Sequence, residues 1–521
     1  MHRYKEANEI ADGIENMIEK KIAESLKLTS KQIILFNTDP HEFKGRKSFT
    51  LLTNSKHIKV IGITNLCLEN EKYYPLRDHI LIMTAKGQEY SKEPAYYKLR
   101  ISGEVQLPAL GYKVFNVVAS DNEDELCLPK ASQVSDKAQI SDGNYVLSFD
   151  HGKINLKVDG ILYKNILSLV DNADDGDTYD YSPLANDKVQ TLPLQKAATF
   201  ENTTLPTIIV YGAAKLPKTL EDRISTTPEY GDLIYKIKMS LDKKGRIEAH
   251  ISLNNQVLSH NLRLRFSPKV KTDSVLAEIQ AGYQNTKNQE IPNDWQKKFV
   301  EKPVNIFNFD KSVTLTNSEK HFTIWDGEQK TYQYENGNLY ITLMATTGEL
   351  GKANLEWRPG RASGDTTNQG HIMMKTPIAQ ELGLNEFNFA FQLENKPFDY
   401  EANNVLTNNW LRQSVFYQLQ TLNVFINRLD NKIWDTNINH SIPKKDSILD
   451  LPANINVSAL YPSYDDNNSY IIRIQNMTDH EIKLPKKLYE NGEIVNALEE
   501  KMKQTSSVDP FDIVSVKMKL K

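Results

Sequence analysis

The sequence predicts a mainly β protein, in which stacked antiparallel β-sandwich domains follow a single N-terminal helix. Apolar residues recur at three- and four-residue spacing over the first 28 of 521 residues, which is the period of an amphipathic helix. After Ser30 the period changes to two, and Asn, Asp, Gly and Pro separate short apolar runs, as in antiparallel sandwiches. Because one hydrophobic core does not support a chain of this length, we expect two to four domains.

The predicted helix has an apolar stripe with acidic and basic residues between its members. The stripe consists of Ile10, Ile14, Met17, Ile18, Ile22 and Leu26. Gly13 weakens the helix by about 1 kcal/mol relative to alanine. An isolated helix of this length is marginal in water, so the stripe must pack either on the β region or on helices that the chain lacks. The periodicity favours neither alternative.

The clearest strand prediction is a hairpin with one buried face and one wet face. Its first strand alternates Tyr235, Ile237, Met239 and Leu241 with polar residues, and its second alternates Ile247, Ala249, Ile251 and Leu253. The segment 242–245, Asp-Lys-Lys-Gly, forms the turn. Similar strands are predicted around residues 154–158, 313–316, 339–343 and 470–474, and a helix around 403–413.

Polar linkers suggest how the β region divides into domains. The helix occupies residues 1–28, and a small β-sandwich is predicted over 31–135. A large β-sandwich over 136–445 and a C-terminal β-sandwich over 446–521 complete the predicted organisation.

Composition argues against several classes of partner and site. Basic and acidic residues nearly balance, at 63 and 67, so nothing in the charge favours nucleic acid or an anionic membrane. No apolar run reaches the roughly 18 residues of a membrane span. The first residues lack the apolar core of a signal peptide. We expect a cytoplasmic protein with two reduced thiols, Cys67 and Cys127, and the eleven histidines show no metal-ligand spacing.

One stretch concentrates the polar chemistry of the chain. Residues 171–183 read Asp-Asn-Ala-Asp-Asp-Gly-Asp-Thr-Tyr-Asp-Tyr-Ser-Pro and directly follow the apolar run 166–170. So many like charges at one strand end repel each other. The stretch is therefore interpreted either as a solvated acidic loop or as a loop that faces a polar ligand. An EF-hand calcium loop is excluded, because Ala173 and Ser182 occupy ligand positions.

The second half of this stretch, residues 176–183, resembles a signature of glycoside hydrolase family 38, in its bacterial branch of α-mannosidases and mannosylglycerate hydrolases. Four further segments resemble phrases of that family in the same order. They are the first strand at 33–37, Leu-Pro-Ala-Leu-Gly-Tyr at 107–112, Trp-Arg-Pro-Gly-Arg-Ala-Ser-Gly at 357–364 and the closing strand at 510–516. Residues 3–28 resemble the last helix of the family's helix bundle.

The resemblance implies a retaining α-mannosidase whose catalytic chemistry lies outside this chain. It implies an N-terminal domain with a zinc ion, a nucleophilic Asp and an acid/base Asp, all preceding residue 1. It further implies that residues 136–445 form a galactose-mutarotase-like supersandwich. We therefore expect no catalytic residue and no metal ligand in this chain, which alone would be inactive. The expected partners are an α-mannoside substrate and the missing N-terminal half, or a second copy bound through residues 1–28.

Candidate substrate contacts lie in two segments. The acidic loop offers Asp177, Tyr179, Asp180 and Tyr181, whose carboxylates and hydroxyls suit sugar hydroxyls. Arg358 and Arg361 flank a Pro-Gly turn, and the resemblance implies that an arginine from this region reaches the sugar pocket. The alternative for each arginine is an exposed or loop-bracing ion pair.

Two other classes of function remain open from the residues alone. One is a stand-alone carbohydrate-binding or scaffolding β protein, which would cover the stripe of residues 1–28 within the chain. The other is a non-hydrolytic subunit of a split mannosidase.

Overall fold

A computed structural model describes residues 2–120, 126, 128–360, 373–412, 414–420, 422 and 442–520. The chain divides into two compact units. Unit 1 comprises Met1–Lys130, Asn202–Thr204 and Asn404–Lys521, and unit 2 comprises Ala131–Glu201 and Leu205–Asn403. The domain boundaries predicted after residues 28, 135 and 445 stay predictions, because a division by contacts does not test independent folding.

Among the described residues, the first part of unit 1 contains one helix and eight strands. They are α1 (His2–Ser25), β1 (Gln32–Asn37), β2 (Phe43–Thr53), β3 (Ile58–Ile61), β4 (Thr64–Tyr74), β5 (Arg77–Thr84), β6 (Gly87–Glu93), β7 (Tyr96–Leu107) and β8 (Gly111–Ala119).

Most of the strands that follow belong to unit 2. They are β9 (Lys130–Ala131), β10 (Lys137–Asp142), β11 (Tyr145–Asp150), β12 (Lys153–Val158), β13 (Ile161–Ala173), β14 (Gln190–Thr191), β15 (Leu194–Glu201), β16 (Thr207–Pro217), β17 (Tyr230–Leu241), β18 (Ile247–Asn255), β19 (His260–Phe266), β20 (Ser274–Ile279), β21 (Gly282–Lys287), β22 (Phe307–Asn308), β23 (Ser312–Thr316), β24 (His321–Trp325), β25 (Thr331–Glu335), β26 (Asn338–Ala345), β27 (Glu349–Leu350), β28 (Met374–Lys375) and β29 (Gly383–Glu394). Helix α2 (Leu220–Ile224) and two short 3-10 helices, Trp295–Lys297 and Pro377–Gln380, lie between them.

The chain returns to unit 1 through α3 (Tyr400–Leu411). The remaining elements are β30 (Val415–Tyr417), β31 (Lys445–Ser447), β32 (Ile455–Pro462), β33 (Ser469–Asn476), β34 (Ile482–Lys483), α4 (Lys486–Asn491), β35 (Glu493–Val495), β36 (Ser507–Val508) and β37 (Ile513–Lys519).

Unit 2 is a sandwich of two large antiparallel sheets. Within the described residues, one sheet has nine strands, in the order β10-β11-β12-β13-β19-β26-β25-β22 with β14 beside β13. The other has ten strands, in the order β21-β20-β23-β24-β29-β18-β17-β16-β15-β9. Phe266 of the nine-stranded sheet contacts Phe322, Phe389 and Phe391 of the ten-stranded sheet, with ring centroids 5.3–6.0 Å apart. These buried rings join the two sheets into one core.

Unit 1 combines smaller antiparallel sheets. Among the described strands, β3-β8-β1-β30 form one sheet with β31 beside β8, and β2-β7-β4 form another. Their apolar faces enclose one core, which includes Ile33, Phe49 and Phe115. The C-terminal strands β32-β33-β37-β35 form a four-stranded sheet with a core of its own.

The mainly β, antiparallel fold predicted from the sequence is confirmed. The hairpin is β17 and β18, whose eight predicted core residues are all buried. The predicted strands at 154–158, 313–316, 339–343 and 470–474 correspond to β12, β23, β26 and β33. The predicted helix near residue 403 is α3, which begins three residues earlier.

The described residues cover helix α1 at its C-terminal end. Ala23 and Leu26 pack with Ile34 of β1 and Tyr417 of β30. In the described part of the chain, three members of the stripe nearer the N-terminus, Ile10, Ile14 and Ile18, are exposed.

Two further expectations concern thiols and membranes. Cys67 is a free, partly buried thiol, whereas Cys127 lies outside the described residues. Across the described ranges, no helix combines the length and the apolar character needed to cross a bilayer.

Gly212 tests the close packing of the ten-stranded sheet. It pairs with Tyr235 across β16 and β17, and a Cβ atom there would lie 2.2 Å from the Tyr235 ring and 2.7 Å from the Pro193 carbonyl oxygen. Tyr235 donates a hydrogen bond to that carbonyl, 2.5 Å away. We expect Gly212→Ala to lower the free energy of unfolding by about 1–3 kcal/mol, because the ring must move.

Urea denaturation measures this change. Ala213→Ser, at the neighbouring half-exposed position, is the matched control and should unfold close to the wild type. Equal stability of Gly212→Ala and Ala213→Ser would contradict the packing at this site.

Candidate functional site

The acidic stretch begins inside β13 and continues into a loop of residues 174–182. Asp171, Asp174 and Asp177 are buried, each with 3% or less of its surface exposed. Three of the five carboxylates therefore lie inside the fold rather than in solvent. Burying a charged group requires hydrogen-bonding partners, and the described residues supply them.

The loop folds back on itself around Gly176. The Asp175 N–H donates to the Ser182 carbonyl at 2.8 Å, and the Asp177 N–H donates to the Asp180 carbonyl at 3.0 Å. Asp174 Oδ1 accepts from the Gly176 N–H at 2.9 Å. A Cβ atom at Gly176 would lie 2.0 Å from the Asp180 carbonyl oxygen, so this turn requires glycine.

Asp177 is the centre of the hydrogen bonds that hold the loop. Its Oδ1 accepts from the backbone N–H groups of Tyr179 at 2.9 Å and Asp180 at 3.1 Å. Its Oδ2 accepts from the Lys352 N–H and from Arg358 Nη2, both at 2.9 Å. Both oxygens are thus used inside the protein.

Arg358 connects the loop to the segment that follows β27. Its side chain is buried, and its Nη1 forms an ion pair with Asp180. Its Nη2 donates to Asp177 and also to the Lys352 carbonyl at 3.0 Å. Lys352 Nζ forms an ion pair with Asp175. Arginine's planar fork suits such a site, because it binds two carboxylates and a carbonyl at once.

The two tyrosines of the loop have different environments. Tyr181 is mostly buried, its hydroxyl accepts from Asn172 Nδ2 at 2.8 Å, and its ring meets Trp357 edge-on at 5.3 Å. Burial raises the pKa of Tyr181 to about 12. By contrast, Tyr179 is 57% exposed, and the Asp180 side chain is 44% exposed. The outer surface of the loop therefore includes a phenol and a carboxylate, beside the exposed Thr178.

The structure brings five of the six predicted contact residues into one cluster. Asp177, Tyr179, Asp180 and Tyr181 lie in the loop, and Arg358 lies beneath it. Arg361 lies outside the described residues. The loop-bracing ion pair, one of the two alternatives for Arg358, is present; whether any of the six contacts a sugar stays a prediction.

A second buried cluster lies at the same strand end and was not predicted from the sequence. Asp171 Oδ2 accepts from His260 Nδ1 at 2.6 Å, and Asp171 Oδ1 accepts from Arg223 Nη2 at 2.6 Å. Arg223 Nη1 lies 3.5 Å from Asp187 Oδ2. His260 is 89 residues from Asp171, and only the pairing of β13 with β19 brings them together. Histidine spacing along the chain carries no signal of such a contact.

These residues do not fit a zinc centre. Among the described residues, no group of three or more His, Cys, Asp or Glu side chains could hold a metal ion. Two buried histidine–carboxylate pairs, His260–Asp171 and His41–Asp39, each include an arginine, Arg223 and Arg412 respectively. The positive charge of the arginine opposes cation binding.

The Asp177–Arg358 ion pair predicts a large loss of stability when one partner is removed. Arg358→Met should lower the free energy of unfolding by about 3–5 kcal/mol, because it leaves the buried Asp177 carboxylate without its cation. Adding Asp177→Asn should recover part of the loss, since the amide is neutral. Urea denaturation of both single variants and the double variant gives the coupling energy.

Lys375 provides the matched control. It forms an exposed ion pair with Glu349, so Lys375→Met should change the free energy of unfolding by less than about 1 kcal/mol. Similar losses in Lys375→Met and Arg358→Met would contradict a special role for the buried pair.

Asp174 predicts a pH dependence of stability. Burial raises the pKa of Asp174 to about 7, from 3.8. The folded state therefore binds this proton more tightly than the unfolded chain, and stability falls as the pH rises from about 4 to about 7. Asp174→Asn mimics the neutral acid and should reduce this slope by up to ~1.4 kcal/mol per pH unit.

Unfolding free energies measured at several pH values between these limits check this slope. Parallel curves for the wild type and Asp174→Asn would contradict a neutral buried carboxyl group.

Comparison with known proteins supports the fold. No family model matches the sequence, and no curated protein matches it. Among solved structures, the crystal structure of an alpha-mannosidase from Enterococcus faecalis V583 matches 94% of this chain, with a TM-score of 0.69 and 16% sequence identity. A protein in the glycosyl hydrolase family 38 from Enterococcus faecalis matches 95% of this chain, with a TM-score of 0.65 and 13% identity.

The matches cover only part of each of the two known structures. The chain covers 56% of the length of the first structure and 59% of the second. At this level of identity the likeness shows the fold alone. The resemblance indicated by the sequence motifs is thus confirmed as a likeness of fold: this chain has the fold of somewhat more than half of a glycoside hydrolase family 38 protein.

Proposed function

We propose that this chain is the β-rich portion of a retaining α-mannosidase-type glycoside hydrolase and contributes its carbohydrate-binding and structural β domains. The observation that carries the proposal is the match of 94% of the chain to the fold of an alpha-mannosidase. The five sequence segments that resemble phrases of family 38 support it independently of that match.

The acidic loop is the proposed site of sugar contact. Tyr179 and Asp180 present a hydroxyl and a carboxylate at its outer surface. A carboxylate accepts hydrogen bonds from sugar hydroxyls with the added strength of its charge. Arg358 fixes the position of Asp180 from below, so the carboxylate is ordered before a ligand arrives. Asp177 and Tyr181 support the loop from inside.

The proposed roles exclude catalysis by the loop. A retaining glycosidase needs two carboxyl groups about 5 Å apart, one as nucleophile and one as acid/base. Both oxygens of Asp177 already accept hydrogen bonds within the protein. We therefore assign the nucleophile, the acid/base and the zinc ligands to a complementary catalytic portion, and expect no turnover of an aryl α-mannoside by this chain alone, with or without added zinc.

Helix α1 is the proposed contact with that catalytic portion. Ile10, Ile14 and Ile18 lie at successive i, i+4 positions and are exposed. Burying such side chains contributes roughly 1.5–3 kcal/mol each. Self-association through the same stripe is the alternative use of this surface.

Sugar binding by the isolated chain tests the proposal. We expect methyl α-mannoside to bind weakly, as measured by titration calorimetry, and methyl β-galactoside to bind more weakly still. Tyr179→Ala should weaken the mannoside affinity roughly tenfold, since losing a hydrogen bond to a desolvated hydroxyl costs about 1–3 kcal/mol. The thermal midpoint should barely change, because the Tyr179 side chain is largely exposed.

Tyr464, also exposed but far along the chain in unit 1, provides the control variant Tyr464→Ala. Equal affinities in the two variants would refute the assignment of the loop. Zinc-dependent hydrolysis by the purified chain would refute the assignment of catalysis to another portion.

A further inference from the structure

The outward face of the ten-stranded sheet has a regular arrangement at β18, which lies between β17 and β29. We call it the β18 face. Three consecutive rows of outward residues each contain one residue from β17, one from β18 and one from β29. The rows are Ile234–Asn254–Leu384, Lys236–Ser252–Glu386 and Lys238–His250–Asn388.

One end of the β18 face is an exposed apolar patch. Ile234 is 55% exposed and Leu384 is 70% exposed, and the exposed side chains of Leu382 and Ile378 precede Leu384 along the chain. A sheet that buries one face normally has polar residues on the other. A group of large exposed apolar side chains bordered by charges is typical of a protein interface.

The charges beside this patch are unequally distributed. Lys236 and Lys238 lie on β17, and within the described part of the chain neither forms a salt bridge. Glu386 lies on β29, and Glu328 contacts Asn388 of the same strand, with its Oε2 3.4 Å from the Asn388 N–H. Glu386 also lies beside His250 of β18, whose Nε2 is 3.8 Å from its Oε1. Apart from Asp232 near the start of β17, the charged residues of β17 on this face are basic, whereas those of β29 are acidic.

We propose that a second copy of this chain docks on the β18 face, related by a two-fold axis that lies in the interface approximately along β18. Residues of β17 and β29 in the same row lie one strand spacing, about 4.8 Å, on either side of this axis. The rotation therefore exchanges the two sides, and places Ile234 of each copy over Leu384 of the other. Lys236 faces Glu386 in the same way.

The third row of residues is also complementary between the two copies. Lys238 of each copy faces Asn388 of the other, beside its Glu328. Such an interface is self-complementary, as a two-fold dimer requires. Each favourable contact occurs twice.

The charges also exclude the perpendicular arrangement. A two-fold axis that crossed the strands at Ser252 would place Lys236 over Lys236 and Glu386 over Glu386. Like charges in contact disfavour this pairing. The distribution of charges therefore favours a two-fold axis along β18.

Variants that exchange the charges of Lys236 and Glu386 test the proposed dimer. All proteins carry Ile14→Asp, so that association through α1 does not contribute. We expect sedimentation equilibrium to show a monomer–dimer equilibrium that weakens as salt is added. Lys236→Glu and Glu386→Lys should each weaken dimerisation roughly tenfold or more, and the double variant should restore it, because both opposed pairs regain opposite signs.

Ile234→Glu should likewise weaken the dimer. Ile161→Glu is the matched control, because Ile161 is 54% exposed and lies on β13 in the other sheet, so it should leave dimerisation unchanged. Thermal midpoints show that each variant is folded. A chain that stays monomeric at all concentrations would overturn the proposal, even if it bound a catalytic portion. A double variant that dimerises no better than its single parents would also overturn it.

Discussion

The buried ion pair between Asp177 and Arg358 is the interaction on which the candidate site depends. Two oxygens of one carboxylate accept four hydrogen bonds, from two loop N–H groups, the Lys352 N–H and the guanidinium. An uncompensated charge in this position would oppose folding of the loop. These four bonds hold the turn together, and Tyr179 and Asp180 lie at its surface. The buried acidic residues of the loop thus stabilise the fold of the loop itself.

The buried residues of the loop are expected to stabilise it, and its exposed residues are expected to bind the ligand. Asp174 and Asp177 are buried and shape the turn, and Tyr181 is partly buried, whereas the side chains of Tyr179 and Asp180 are more exposed. A change to Asp177 is therefore expected to alter stability and binding together. A change to the largely exposed Tyr179 side chain should alter binding more than stability. This separation follows from the difference in burial between the two groups of residues.

The sequence predicts the fold better than it predicts the site. Period-two alternation locates β17 and β18 because each strand has one buried face, and the same physics identifies β12. In β33 the adjacent residues Ile471 and Ile472 are both buried, so its apolar run rather than alternation identifies it. The helix α1 follows from its period of 3.6. Predicting that Asp177 and Arg358 belong to one site required the family resemblance. The two residues are 181 positions apart, and no local sequence pattern connects them. The contact of Asp171 with His260 depends on the register of β13 and β19, which single-strand patterns do not specify.

A crystal structure of the chain with a bound methyl α-mannoside would test directly whether the acidic loop contacts the sugar. We predict sugar hydroxyls hydrogen-bonded to the Asp180 carboxylate and the Tyr179 hydroxyl, with Asp177 and Arg358 still paired beneath the loop. A mannoside bound elsewhere, or one that displaces Arg358 to reach Asp177, would contradict it.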